Sequence, residues 1–387
     1  MAMIYFVLIL FSVNFMLCEE YILVALFTYQ CIKNKKIKID TKFFVLILFS
    51  VVYLTVLLLT ANRFNVQIAI LPVAYLLGYN LNIDKKEPRT LACSVLVCLS
   101  LGMCLHTFLN FCAEIIKYGG IKYGVVHYDI WSGMVSSSTG QMINYTFAAA
   151  ILTYVIVKSR KHLFALLLII PSLLFGVILG SRTSIVISVI SVLTGLIVLC
   201  FNVNTKKAKV SIAMIIALMI FIVFALQFNI FGISDIIGKS YLMTRLDLAK
   251  SNNAGALDTE RWQIKMEYIK KMFEHPWGGG SIRRLVNNNY AHDLLLDIYS
   301  EGGIMSFLLM AIYLIMLVKS MICFIKKSNS LDINVLFIPF LIVVLMQMML
   351  EPILEGAPVF MLSLVMIDGL VTNVNKVRCE DESRIHF

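Results

Sequence analysis

Between Arg261 and Gly303 the chain gathers Arg261, Arg283, Arg284, His292, Asp293 and Glu301, in a sequence that elsewhere avoids charge. Guanidinium groups bind anions through planar pairs of N–H donors, and imidazole exchanges protons near neutral pH. Beside apolar segments, such a set is suited to an anionic, lipid-attached substrate. The elements around these side chains decide whether they can meet.

Those elements are helices in a membrane. Of 387 residues, 60% are hydrophobic and 14% charged, and the mean hydropathy is +0.87. That leaves too little polar surface for a soluble domain and predicts an all-α polytopic membrane protein. The net charge of +10 does not point to nucleic acid, because Lys and Arg recur between apolar runs. Clusters fall at Lys33, Lys35, Lys36, Lys38 and Lys42, at Lys85, Lys86 and Arg89, and at Lys158, Arg160 and Lys161. They return at Lys206, Lys207 and Lys209, at Lys319, Lys326 and Lys327, and at Lys376, Arg378 and Arg384.

If those clusters are cytoplasmic, spans are predicted near 43–61, 64–82, 90–112, 139–157, 163–180, 184–201, 210–229, 302–323, 333–350 and 357–373. The outer turns then hold only Arg63 and Arg182, the loop 113–138 adds Lys117 and Lys122, and the C-terminus is cytoplasmic. In residues 1–31, Glu19 and Glu20 split an apolar stretch into either one tilted span or two, for a total of 11 or 12. No basic region precedes that stretch, so it is expected to be retained rather than cleaved.

The expected organisation is an N-terminal bundle of about eight spans over 1–229, a large extracytoplasmic loop over 230–301, and C-terminal spans with a tail over 302–387. None of the nine cysteines forms a CxxC pair or lies in the large loop, so they are expected to pack as small apolar residues. Neither GxxxxGK[ST] nor GxGxxG occurs, which argues against an NTP-driven pump.

Within the large loop, Asp258 or Thr259 is placed to cap a helix running to Glu274, before Pro276 and Gly278–Gly280. Trp262, Met266, Ile269 and Phe273 form one apolar stripe, with Arg261, Lys265, Tyr268 and Met272 beside it. The helix is expected to lie against the bundle with its basic edge turned to a cleft. A solvated amphipathic helix without catalytic work has the same pattern.

The order GSRTS at 180–184, ERW followed by EHPWGGG, and AHDLLLDIYSEGGIMSFLL resembles the O-antigen polymerase and O-antigen ligase superfamily of bacterial membrane glycosyltransferases. These motifs cover about a fifth of the chain, and the family's helix number and large loop near the C-terminal third match the topology read independently above. The resemblance implies a GT-C-like fold and transfer of a glycan from a polyprenyl-pyrophosphate-linked oligosaccharide donor to a lipid-linked acceptor sugar. It also implies a site at the outer face of the bacterial plasma membrane. One departure is Asp293, where the family often has Asn; this extra carboxylate either raises the basicity of His292 or faces solvent.

Such a transfer requires a stabilised leaving pyrophosphate and a deprotonated attacking hydroxyl. Arg182 is the first candidate for the pyrophosphate. It opens a span where Ser181 is placed to cap the helix and the amides of Thr183 and Ser184 point the same way. A snorkelling interfacial arginine would occupy the same position. Arg261 matches the family's second basic position, and its bland alternative is an ion pair with Glu260, Asp258 or another nearby acid. Arg283 and Arg284 are second-tier anion contacts. His292 is the expected base, whereas His106, His127, His162 and His275 have no family counterpart, and His106 is expected as a buried polar contact in its span. Glu301 also matches the family pattern, but nine residues from His292 it sits about half a turn off on a continuous helix. It is therefore expected to fix the Gly302-Gly303 turn or orient acceptor hydroxyls.

No carboxylate pair has metal-like spacing, so the expectation is a transfer without metal or cofactor, arginines standing where a divalent cation usually does, with inversion at the anomeric carbon. The leading expectation is a polymerase of O-antigen or capsular repeat units, with a flippase and a chain-length regulator as companions. A ligase moving finished glycan to an acceptor shares the architecture. A transporter of lipid-linked sugar would instead need polar residues at mid-span and discontinuous helices, and the spans hold few ionisable groups.

Overall fold

The computed structural model describes residues 2–81, 88–124, 126–158, 160–202, 205–244, 247, 259–328 and 330–385. Most form helices: α1 (Ala2–Ser12), α2 (Glu19–Asn34), α3 (Thr41–Ala61), α4 (Val66–Tyr79), α5 (Pro88–Tyr118), α6 (Ser138–Lys158), α7 (Leu166–Ile178) and α8 (Arg182–Phe201). They continue with α9 (Lys206–Gln227), α10 (Ile233–Lys239), α11 (Thr259–Lys271), α12 (Ser281–Leu285), α13 (Leu294–Ser328), α14 (Leu331–Leu350), α15 (Ile353–Gly356) and α16 (Pro358–Ile385). The sheet among the described residues is a short antiparallel hairpin between α5 and α6, pairing Val126–Tyr128 with Val135–Ser137.

Among the described residues eight helices are long and apolar enough to cross a membrane: α3, α5, α6, α8, α9, α13, α14 and α16. Ala2–Ser12, Val66–Tyr79 and Leu163–Ile178 are shorter apolar helices. The chain is a multi-pass all-α membrane protein. Residues 1–31 resolve into two helices rather than one, because Asn14, Met16 and Leu17 take left-handed backbone and break the chain between α1 and α2. With 11 and 16 residues, each is shorter than the about 20 a straight crossing needs.

Small residues let the central helices close on one another, since lipid supplies no hydrophobic force between them. On α4 and α16 the approach is backbone to backbone. A Cβ added at Gly78 would collide with the Met366 carbonyl, and one at Gly369 with the Tyr75 carbonyl. α6 is the most enclosed of the spanning helices; its Ala149 carbonyl accepts from Ser191 Oγ of α8 at 2.6 Å, and Gly195 of α8 leaves room for Thr153. α9 lies at the periphery, with Ile220, Phe221 and Phe224 turned outward.

At one end of the bundle, described residues of four basic clusters come together. Lys158 lies 2.8 Å from Asp332, Lys207 also pairs with Asp332, and Arg89 donates to the carbonyls of Lys327 and Ser328 at 3.0 Å each. Inside the bundle, the expectation of few ionisable groups meets an exception: Lys42 Nζ and Asp368 Oδ1 form a buried ion pair at 2.6 Å, with Tyr313 donating to Asp368 at 3.1 Å.

The described residues between α9 and α13 sit at the other end. α11 ends at Lys271, and a turn over 272–274 replaces the helical tail expected to Glu274; Asp258 lies outside the described residues. The basic edge does face the bundle, with Tyr268 buried, but the apolar stripe does not. Trp262, Ile269 and Phe273 are exposed, together with Trp277.

Candidate active site

The backbone around His292 is held before its side chain acts. Asp297 folds back from the first turn of α13, accepting from the amides of Ala291 at 2.7 Å and Asp293 at 3.3 Å, one on each side of His292. His292 itself takes left-handed backbone at φ 55°, a conformation that persists only where neighbours impose it. Ala291, Tyr268, Ile282 and Tyr299 form a small separate core beneath this turn, and Tyr268 donates to the Asn289 carbonyl at 2.7 Å.

The Asp293 carboxylate turns to its own helix and to Lys265. Its Oδ1 accepts from the amides of Leu295 and Leu296 at 3.1 and 3.3 Å, capping α13, and its other oxygen lies 3.7 Å from Lys265. The carboxylate that meets His292 is Glu351, at the end of α14. His292 Nδ1 lies 3.3 Å from Glu351 Oε2, while Glu351 Oε1 is 3.2 Å from Arg261 and accepts from Thr183 Oγ1 at 3.1 Å. Arg261 also donates to the Leu350 carbonyl at 3.2 Å. Burial pushes the Glu351 carboxyl up, but the hydrogen bond from His292 and the charge of Arg261 outweigh it and hold it below the usual carboxylate range.

Thr183 brings the start of α8 into this cluster, and Arg182 is the first residue of that helix. Ser181 occupies the N-cap position but makes no side-chain cap bond, contrary to expectation. Its carbonyl instead accepts from Ser184 Oγ at 2.9 Å.

A second group adjoins the first. Arg283 reaches Glu301 at 3.3 Å and Glu355 at 3.4 Å, and its guanidinium lies 4.1 Å from the centre of the Tyr290 ring. Tyr290 in turn donates to Glu355. Arg284 diverges to Ser281 Oγ at 3.4 Å and stands apart from this group.

Glu301 is fixed by the meeting of two glycine runs. The amides of Gly279 and Gly280 donate to the carbonyls of Glu301 and Ser300 at 2.8 Å each, and the Ile304 amide donates to the Pro276 carbonyl at 2.9 Å. Gly303 breaks α13 at φ 75°, ψ −177°, and a Cβ on Gly278 would collide with the Gly303 amide nitrogen. HPWGGG and SEGG are thus two halves of one backbone junction. The junction is made by backbone groups, while the Glu301 carboxylate itself goes to Arg283.

Glu351, Glu355, Asp297 and Tyr290 are absent from the residues picked out by sequence, and Thr183 was picked out for its amide rather than for its hydroxyl. A signal existed for two of them: Glu351 and Glu355 are one helical turn apart in a short connection between apolar spans. Among the other histidines, His106 does make the expected buried contact, 3.0 Å from Asp129, within a network that includes Asn110 and Gln141. His127 is buried beside it. The side chain of His162 lies outside the described residues.

No protein-family model matches this chain, and no curated protein matches it in sequence. Fold and site define a multi-pass all-α membrane protein with an ionic cluster built on Glu351 at the end of the bundle opposite its basic clusters.

Proposed function

We propose that this protein is a glycosyltransferase of the outer face of the bacterial plasma membrane, joining polyprenyl-pyrophosphate-linked oligosaccharide repeat units into O-antigen or capsular polysaccharide. The observation that carries the proposal is the convergence of His292, Arg261 and the start of α8 on the buried carboxylate of Glu351. A transferase needs an anion site and a base side by side, and the residues around Glu351 supply both kinds of group. The basic clusters at the opposite end support an extracytoplasmic site and a cytoplasmic C-terminus. The helix complement and the long segment between α9 and α13 are compatible with a GT-C-like arrangement of 11 or 12 spans.

In this mechanism Arg182 and Arg261, backed by the first amides of α8, take the pyrophosphate of the donor. The acceptor hydroxyl oxygen attacks the anomeric carbon from the opposite face. The C–O bond to phosphate breaks, the polyprenyl pyrophosphate leaves with the electron pair, and the hydroxyl proton passes to Nε2 of His292. Glu351 fixes the ring through Nδ1 and stabilises the imidazolium that forms. Attack opposite the leaving group inverts the anomeric carbon, and recovery of the donor anomer in the new linkage would exclude it.

The deciding experiment compares lipid-linked glycans in a deletion strain complemented with wild type or His292→Ala. Single repeat units with the variant and a ladder with wild type are expected. Long glycans still accumulating on the lipid carrier in the deletion strain would move polymerisation elsewhere and leave the ligase assignment.

A further inference from the structure

Glu351 and Glu355 stand on opposite flanks of one short turn. Glu351 faces His292 and Arg261, while Glu355 borders an open cleft of about 490 Å³ walled by Arg63, Phe64, Gln67 and Glu20. These residues come from the start of α2 and the α3–α4 turn, far from the motifs around His292 in sequence. The lining combines three chemistries. Carboxylates and an amide can take paired hydroxyls, a guanidinium can donate to ring and hydroxyl oxygens, and Phe64, 59% exposed, offers an apolar face. A volume of that size holds one to two hexose rings and falls within the range of small-molecule sites, about 300–1,000 Å³.

We infer that this cleft is a sugar-binding subsite that takes the residue presenting the attacking hydroxyl, with Phe64 stacking on a C–H face and Gln67, Glu20 and Glu355 binding hydroxyls. Glu355 connects the subsite to the reacting groups: it meets Tyr290, two residues before His292, and Arg283. Two carboxylates, Glu20 and Glu355, against the one guanidinium of Arg63 favour a neutral polyol over an anion in this cleft. The assignment of the bound sugar as acceptor rests on the transferase proposal; sugar binding itself does not.

The probe is the repeat-unit oligosaccharide of the source strain, freed from lipid by mild acid. Its binding to full-length protein in nanodiscs is followed by saturation-transfer NMR and titration calorimetry. Wild type and His292→Ala should bind alike, while Phe64→Ala and Gln67→Ala should weaken binding at least tenfold and Lys270→Ala should not. In turnover, Phe64→Ala should raise KM for acceptor with kcat and donor KM unchanged. Binding that is absent in wild type, indifferent to Phe64 and Gln67, or displaced by phosphatidylglycerol with no dependence on the sugar, would overturn the subsite. Binding lost in Phe64→Ala together with a normal glycan ladder in His292→Ala would instead sink the transferase proposal and leave the subsite standing.

Discussion

His292 Nδ1 and Glu351 Oε2 lie 3.3 Å apart although 59 residues and a full pair of membrane crossings separate them in the chain. The pair joins the turn before α13 to the end of α14. One group is a quarter exposed and the other is sealed from solvent, so the imidazole can meet substrate while the carboxylate can only orient it. Removal of the imidazole in His292→Ala is expected to lower the transfer rate by about 10² to 10⁴, the usual contribution of a general base. Glu351→Gln should lower it less and change the shape of the pH–rate profile, because it acts through His292. Equal pH profiles in wild type and Glu351→Gln would remove Glu351 from that role.

The glycine junction predicts a local failure rather than a general one. Gly278→Ala meets both a positive φ of 76° and the Gly303 backbone, so it should lower stability by about 2 kcal/mol or more and displace Glu301. Gly120, where an added Cβ meets nothing within 4 Å, is the control, and Gly120→Ala should stay within about 0.5 kcal/mol of wild type. Thermal unfolding in detergent measures both, and similar melting temperatures for the two variants would contradict the junction.

Burial holds His127 in the hairpin down to about 4, against 6.5 for an ordinary imidazole. A depressed histidine contributes stability that is complete above pH 6.5 and is lost as pH falls towards 4, because the unfolded chain binds the proton first. The loss at acid pH is on the order of 3 kcal/mol. Unfolding curves of wild type and His127→Gln should diverge in slope across that window and run parallel above pH 7. A wild-type slope retained by the variant would assign the acid limb to other groups.

Lys42 and Asp368 bear on the transporter alternative, because an ion pair inside a membrane bundle is either structural or part of a pathway. A structural pair predicts that Asp368→Asn or Lys42→Met alone costs about 3–5 kcal/mol and that replacing both by apolar residues restores more than half of it. Glycan synthesis should survive in the double variant. A stable double variant that has lost all synthesis would point to a pathway through the pair.

The outward stripe of α11 should lie in the lipid interface. Three tryptophans occur in the chain, and two of them are exposed here, Trp262 on the stripe and Trp277 in the connection that follows it. In a Trp131→Phe background, brominated lipids in vesicles should quench most of the fluorescence. Strong quenching by aqueous iodide with none by brominated lipid would place the stripe in water.

The apolar helices were legible in the sequence because each carries its own apolar run. The stretches read as spans at 64–82 and 163–180, however, form the shorter helices Val66–Tyr79 and Leu163–Ile178, and eight helices rather than 11 or 12 reach spanning length among the described residues. His292, Arg261 and Glu301 were picked out from the sequence, but the Glu351 carboxylate that joins the first two was not. From sequence, Asp293 either raises the basicity of His292 or faces solvent; in the structure the start of the helix claims its carboxylate for free amides. Ser181 was given a cap that its side chain does not make.

What the sequence determined by itself is a many-helix membrane protein, with basic residues recurring between its apolar runs. Periodicity and composition are local properties, and both survive in one dimension. The choice of Glu351 as the partner of His292, Arg261 and Thr183, the locking of Gly278–Gly280 onto the break at Gly303, and the cleft between Glu355 and the α3–α4 turn were decided by tertiary structure alone. Each depends on which helix ends are neighbours across the bundle. Close packing of α4 on α16 and of α6 on α8 and α14 sets that, through contacts between residues scores to hundreds of positions apart.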